Sequence, residues 1–203
     1  MKNLMREKII LVDCDGVLLD WKFAFQTWME THHGLTCNDS DQYEIAGSYD
    51  MSVGDFESYV IEFNNSAAIG FLPPLRDAVY YLKRLHERHG FQFHCITALS
   101  NHRHPQMLRE KNLEYLFGKN IFTKFIYQDT GRSKLKDLIE YSDTKCFWIE
   151  DKIENAMDGL KVGLDPIIIA HDYNNDLDVT DGIPRLWKWK HIYNYILNEI
   201  GEE

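Results

Sequence analysis

Apolar residues along this chain gather in short unbroken runs instead of alternating with polar ones. Five runs stand out, at Ile9–Val12, 91–96, 121–127, 146–149 and 166–170, rich in isoleucine, phenylalanine and valine. Runs of this length with no polar face predict strands covered on both sides, as in a parallel sheet. Between them apolar positions recur three and four apart, which predicts helices over 74–89, 105–117, 133–141, 151–160 and 184–200. Proline stands at the start of the first two, and Gly90 and Gly118 stop them. Ser133 supplies a cap for the third. In the last, Leu186, Trp189, Tyr193, Ile196, Leu197 and Ile200 share one face. Strands and helices in alternation predict an α/β chain built on a doubly wound, Rossmann-like parallel sheet of about five strands.

One stretch breaks the rhythm. Residues 21–72 separate the first two predicted strands and are far longer than a crossover requires. They hold at least two helical patterns. One begins at Ser52, with Asp55 three residues on as in a capping box, and repeats Phe56, Tyr59, Val60 and Phe63 at helical spacing. The reading is a small helical cap over 21–72 inserted into a core made of 1–20 and 73–203, with Phe71-Leu72-Pro73-Pro74 as the return hinge.

Composition narrows the function. A formal charge of −10 over 203 residues argues against a protein that coats nucleic acid or docks on anionic membrane through a basic face. A small anionic substrate stays compatible, because a few fixed cations or a metal reverse the field locally. The N-terminal apolar stretch is too short for a signal peptide, and no run approaches the ~18 apolar residues of a membrane span. Cys14, Cys37, Cys95 and Cys146 are scattered without metal-ligand spacing. The expectation is a cytoplasmic protein with reduced thiols.

Ligands of open α/β sheets bind beyond the carboxyl ends of the strands. Four predicted ends carry polar residues. IILVDCDG delivers Asp13 and Asp15, with Gly16 for the turn; such a carboxylate pair can hold a divalent cation and divide nucleophile from acid–base work. FHCITALS ends in Thr97, whose hydroxyl is either a phosphate ligand or a turn residue. GRSKLKDLIE places Lys134 in the first turn of a helix, where it is either a solvated surface lysine or, because a cation there opposes the helix dipole, the partner of an anionic ligand; Lys136 is its rival. CFWIEDKIENA delivers Glu150 and Asp151, which are either helix caps or a second carboxylate pair for a metal.

In the order Asp-x-Asp, Thr, Lys, acidic pair, these residues resemble the four motifs of the haloacid-dehalogenase-like hydrolase superfamily. The resemblance covers 8–20 and 72–171. It implies an Mg2+-dependent phosphomonoester hydrolase working through an aspartyl-phosphate. Asp13 would be the nucleophile and Asp15 the acid and then the base. Thr97 and Lys134 would hold the phosphoryl group. Asp13, the Asp15 carbonyl and Asp151 would hold Mg2+, with Glu150 as a ligand or a neighbour of the ligands. The acid at position 15 separates this chain from the family's dehalogenases.

A narrower resemblance is to the 5′(3′)-deoxyribonucleotidase branch. It rests on DGVLLDW, the return FLPPLRDAVYYLKRL and the aromatic, basic PRLWKWKHIYNYIL. It implies a nucleoside monophosphate as substrate, with Trp21, Tyr43 or Tyr49 stacking on the base; the alternative for each is ordinary cap packing. The chain departs from that branch at Glu150-Asp151-Lys152 and at Ala98-Leu99. A sugar- or glycolate-phosphate phosphatase on the same core therefore stands beside it, as does a non-catalytic nucleotide-binding regulator. In each case the partner is a small phosphorylated metabolite. His102, Arg103 and His104 read either as substrate contacts or as a solvated loop, and His32 and His33 as the end of a cap helix.

Overall fold

A computed structural model describes residues 8–38, 45–129, 132–174 and 182–202. Its centre is a parallel sheet of strands β1 (Ile9–Val12), β2 (Gln92–Ala98), β3 (Phe122–Gln128), β4 (Phe147–Glu150), β5 (Asp165–Ile169) and β6 (Arg185–Leu186). Their order across the sheet is β3-β2-β1-β4-β5-β6, so the direction of winding reverses beside β1. That reversal opens a crevice at the carboxyl ends of β1 and β4.

The unbroken apolar runs have the cause expected of them: both faces are covered. Ile10, Val12, Phe93, Cys95, Phe147, Ile149, Ile167 and Ile169 enter one large core. Their neighbours Leu11, Ile96 and Trp148 enter another on the opposite face. Among the described residues, five helices accompany the strands from β2 onward or lead into them: α3 (Ala78–His89), α4 (Arg103–Phe117), α5 (Leu135–Leu138), α6 (Ile153–Lys161) and α7 (Trp189–Ile200). Two more, α1 (Trp21–His33) and α2 (Val53–Asn65), lie in the stretch between β1 and β2. Ser52 caps α2 as its sequence suggests, accepting from the Asp55 amide at 3.2 Å and donating to the Asp55 carboxylate at 2.6 Å. Phe25 forms the centre of this region, fully buried, with Trp21 stacked on it at 4.8 Å and Phe56 and Phe63 edge-on at 5.5 Å.

Three expectations shift. The helix expected from residue 74 starts at Ala78. The residues before it tie two passages of chain together: Pro73 accepts from the Asp20 amide at 2.9 Å, and the Leu75 amide donates to Leu18 at 2.8 Å. Arg76, at φ +41°, then separates this crossing from the helix. The helix over 133–141 is one α-helical turn running into a 3-10 turn at Ile139–Tyr141. The sheet has six strands, close to the expected number of about five; Arg185–Leu186 pair with β5, so the last helix, expected from residue 184, begins at Trp189. Asp77 caps α7 from across the molecule, accepting from the Trp189 and Lys190 amides at 3.0 and 3.1 Å.

No disulfide joins the four cysteines. Among the described residues no helix is long and apolar enough to cross a membrane.

Candidate active site

The crevice at the carboxyl ends of β1 and β4 opens into a cleft of about 870 Å³, whose lining includes residues of α1 and α2. Asp13, Asp15, Thr97, Lys134 and Asp151 all line it. Chain direction brings them together. β1 hands on Asp13, whose amide extends the ladder to Ile149 at 3.0 Å. Thr97 is the penultimate residue of β2. Glu150 ends β4 and Asp151 follows it.

Lys134 is the hub. It is 2% exposed, and its Nζ lies 2.9 Å from Asp13 Oδ1 and 3.0 Å from Glu150 Oε1. Burial works against the ammonium, but the two carboxylates outweigh it and hold it charged above the ordinary lysine range. Lys136, its rival in the sequence, is exposed. Glu150 is fully buried and its oxygens are occupied: Lys134 and the Asn155 side-chain amide donate to Oε1, and the Asp151 backbone amide donates to Oε2 at 2.8 Å. That arrangement holds Lys134 between Glu150 and Asp13.

Carboxylate oxygens of Asp13, Glu150 and Asp151 lie within 4.8 Å of one another. One ammonium cannot balance three buried carboxylates, and all three are pushed up, chiefly by desolvation; Asp13 rises to about 6. Asp151 Oδ1 is buried without a hydrogen-bond partner. A surplus of negative charge, an orphaned oxygen and donors that are all oxygen suit a hard divalent cation such as Mg2+. The Thr97 hydroxyl is a second orphan, on a residue 1% exposed that lines the cleft. It suits an anion's oxygen.

The Asp15 side chain stands apart from the three-carboxylate cluster. It accepts from the guanidinium of Arg109, which also donates to Cys14 Sγ at 2.9 Å. Arg109 is fully buried on α4, and Asp15 and Cys14 hold its charge in place against desolvation. Burial raises the Asp15 pKa, with Arg109 opposing.

Of the other candidates, Trp21 lines the cleft, with its indole Nε1 donating to Asn64 at 3.0 Å. Tyr49 does not. It is 7% exposed and packs against Phe25 and Phe56, because the helices between β1 and β2 need an aromatic core of their own. Tyr43 lies outside the described residues. His102, Arg103 and His104 are exposed and do not line the cleft, and Arg103 pairs with Glu110 at 2.7 Å. His33 packs against Trp28 and Tyr59.

Four residues of the site escape a reading by motif: Arg109, Asn155, His171 and Tyr173. Arg109 has a faint signal, since it shares a helical stripe with the buried Pro105, Asn112 and Leu113. His171 and Tyr173 follow β5, a strand whose end carries none of the four motifs.

His171 Nε2 bonds the Gly16 carbonyl at 2.6 Å and Nδ1 takes a guanidinium hydrogen from Arg76 at 3.2 Å. An arginine only donates, so Nδ1 accepts and Nε2 carries the proton. The ring is therefore neutral, and burial lowers its pKa from 6.5 to about 4. The unfolded chain then binds the proton more tightly than the folded one. His171 supports folding fully above about pH 6.5 and loses that support as pH falls toward 4, by up to ~3 kcal/mol. Urea unfolding between pH 4 and 7 is expected to show a slope that His171→Gln flattens.

Neither a protein-family model nor a curated protein matches the chain in sequence. Solved structures do match in shape. A haloacid dehalogenase-like family hydrolase from Streptococcus pneumoniae superimposes with a TM-score of 0.66 at 14% identity, over 93% of this chain and 97% of that one. A HAD family hydrolase from Deinococcus radiodurans, solved with bound phosphate and sodium, gives 0.64 at 16% identity, over 94% and 95%. CbbY from Rhodobacter sphaeroides, in complex with xylulose-1,5-bisphosphate, gives 0.57 at 14%, over 90% and 94%. At these identities the likeness is one of fold, and the chain has the haloacid dehalogenase-like fold.

Proposed function

We propose that this protein is an Mg2+-dependent phosphomonoester hydrolase of the haloacid-dehalogenase-like superfamily, with Asp13 as nucleophile. The observation that carries the reading is the convergence of Asp13, Lys134 and Asp151 with the orphaned Thr97 hydroxyl at one crevice.

Two anions, a carboxylate and a phosphate, must meet in this reaction, and their repulsion has to be cancelled. Lys134 supplies one fixed positive charge beside the attacking oxygen. Asp13 and Asp151, with the Asp15 carbonyl, would hold Mg2+, which supplies the remaining charge and polarises the phosphoryl oxygens. Thr97 donates to one of those oxygens. An Asp13 oxygen attacks phosphorus, the bond from phosphorus to the ester oxygen breaks, and Asp15 gives that oxygen its proton. Asp15 then takes a proton from water; the water oxygen attacks phosphorus and the bond to Asp13 breaks, releasing phosphate. Burial assists Asp15 in carrying the first proton, and Arg109 assists its return to the ionised form.

The substrate we favour is a (deoxy)nucleoside monophosphate. Trp21 presents an indole in the cleft, and the cleft is much larger than a phosphate requires. Stacking of a base on such a ring contributes ~1–3 kcal/mol in nucleic-acid complexes. A sugar phosphate is the second reading, favoured by the shape shared with the xylulose-1,5-bisphosphate complex. A binding protein without turnover fits less well, because Asp13, Asp15 and Lys134 all line one cleft.

A panel of phosphate esters with Mg2+ tests this. The expected result is hydrolysis of an aryl phosphate, loss of that activity with chelator and its return with Mg2+, and faster turnover of nucleoside monophosphates than of sugar phosphates. The opposite preference would move the substrate to the sugar class. Nucleotide binding without turnover of any ester would overturn the hydrolase.

A further inference from the structure

The turn after β5 lies outside the four motifs, yet it grips Asp151 at two points. Asn174 Nδ2 donates to the Asp151 carbonyl at 2.8 Å and to the Ile169 carbonyl at 3.0 Å. The Tyr173 hydroxyl donates to Asp151 Oδ2. The same turn also reaches the β1 loop. His171 bonds the Gly16 carbonyl, and its ring stacks on Tyr173 at 4.7 Å, nearly parallel. Its own amide is tied to Asn174 at 2.8 Å. Gly16 is shaped to this packing: at φ +75°, a Cβ there would come within 2.6 Å of Asp151 Oδ2 and 2.8 Å of the Tyr173 hydroxyl.

We propose that Tyr173 is a positioning residue for the cation: by occupying Asp151 Oδ2 it turns the orphaned Oδ1 toward the oxygens of Asp13 and Glu150. This rests on the Mg2+ site assigned above. A carboxylate with one oxygen fixed and the other free has a defined direction. Without the phenol it can swing, and the ordering cost falls on the ion. Loss of the hydrogen bond behind a metal ligand typically weakens metal affinity ~10–100-fold. Tyr173 touches neither the reacting phosphorus nor the attacking oxygen in this scheme, so its effect passes through Asp151.

Mn2+ binding to the whole protein, followed by electron paramagnetic resonance, and Mg2+ binding, followed by calorimetry, read this without any turnover. Wild type is expected to bind and Asp151→Asn to lose binding. Tyr173→Phe is expected to bind ~10–100-fold more weakly with its melting temperature little changed. His171→Gln removes the stacked ring but keeps the hydroxyl, and is expected to fall between wild type and Tyr173→Phe; it also supplies the comparison if Tyr173→Phe folds poorly. Wild-type binding with unchanged or tighter affinity in Tyr173→Phe overturns the role of Tyr173 alone, as does wild-type affinity in His171→Gln if only that variant folds. No binding by wild type removes the cation site itself, and the proposal with it.

Discussion

Asparagine in place of Asp13 is expected to lower kcat for every phosphate ester by at least ~10,000-fold while the protein stays folded. An amide oxygen is too weak a nucleophile to displace an ester oxygen from phosphorus. The rest of the site survives, because Lys134 keeps Glu150 at 3.0 Å. Folding is not expected to suffer at neutral pH. The Asp13 carboxyl is raised to about 6 in the fold, chiefly by burial. Its ionised form is thus less at ease folded than unfolded, and it counts against stability once pH exceeds its ordinary value of 3.8. A neutral amide removes that burden. Metal-free Asp13→Asn should therefore melt at or above the wild-type temperature at pH 7. Residual turnover within tenfold of wild type would dismiss Asp13 as nucleophile, and a large fall in melting temperature would mean that lost activity reported lost structure.

Asparagine in place of Asp15 is expected to cost both activity and stability. Losing the proposed acid and base should lower kcat ~100- to 10,000-fold. Arg109, fully buried, would also keep its charge and lose the carboxylate that balances it. Removing one partner of a buried ion pair costs ~3–5 kcal/mol; burial raises the Asp15 pKa, so its ionised form carries a desolvation cost that the amide removes, and the net loss is expected below that range. The double variant Asp15→Asn, Arg109→Met removes the stranded charge. It should recover most of the stability and none of the activity, which a double-mutant cycle by urea unfolding and steady-state kinetics separates. Equal stability of Asp15→Asn and wild type would show that Arg109 finds another way to settle its charge.

Asp13 and Asp15 stand two residues apart, and their partners show how far residue patterns reach. The strands are legible because runs such as Ile9–Val12 and 166–170 must be apolar on both faces to lie inside a sheet. Asp13, Thr97 and Asp151 are legible because each comes at or near the end of such a run. Lys134 separates from Lys136 only in three dimensions, where one reaches Asp13 and the other is exposed. Surface exposure is the ordinary expectation for an arginine. The stripe that Arg109 shares with Leu113 hints at burial, but its carboxylate partner lies 94 residues away along the chain, and no local pattern points to it.

The two-residue strand Arg185–Leu186 is too short to show any period, so the pattern there predicts only the start of the last helix. Tyr49 is a different case. An aromatic residue in a short helical stretch is needed for that stretch's own core, and composition does not separate this use from contact with a ligand.

The position of β1 has a consequence for how the molecule is made. It precedes the other five strands in the chain, yet it ends up in the interior of the sheet, bonded to β2 on one side and β4 on the other. Its second neighbour is not synthesised until residue 147. Until then the nascent sheet carries an apolar strand with one open edge, the kind of surface that recruits other chains. Translation arrested between β3 and β4 leaves that edge bare, and the loop that carries Asp13 and Asp15 takes its final shape only once β4 has been made.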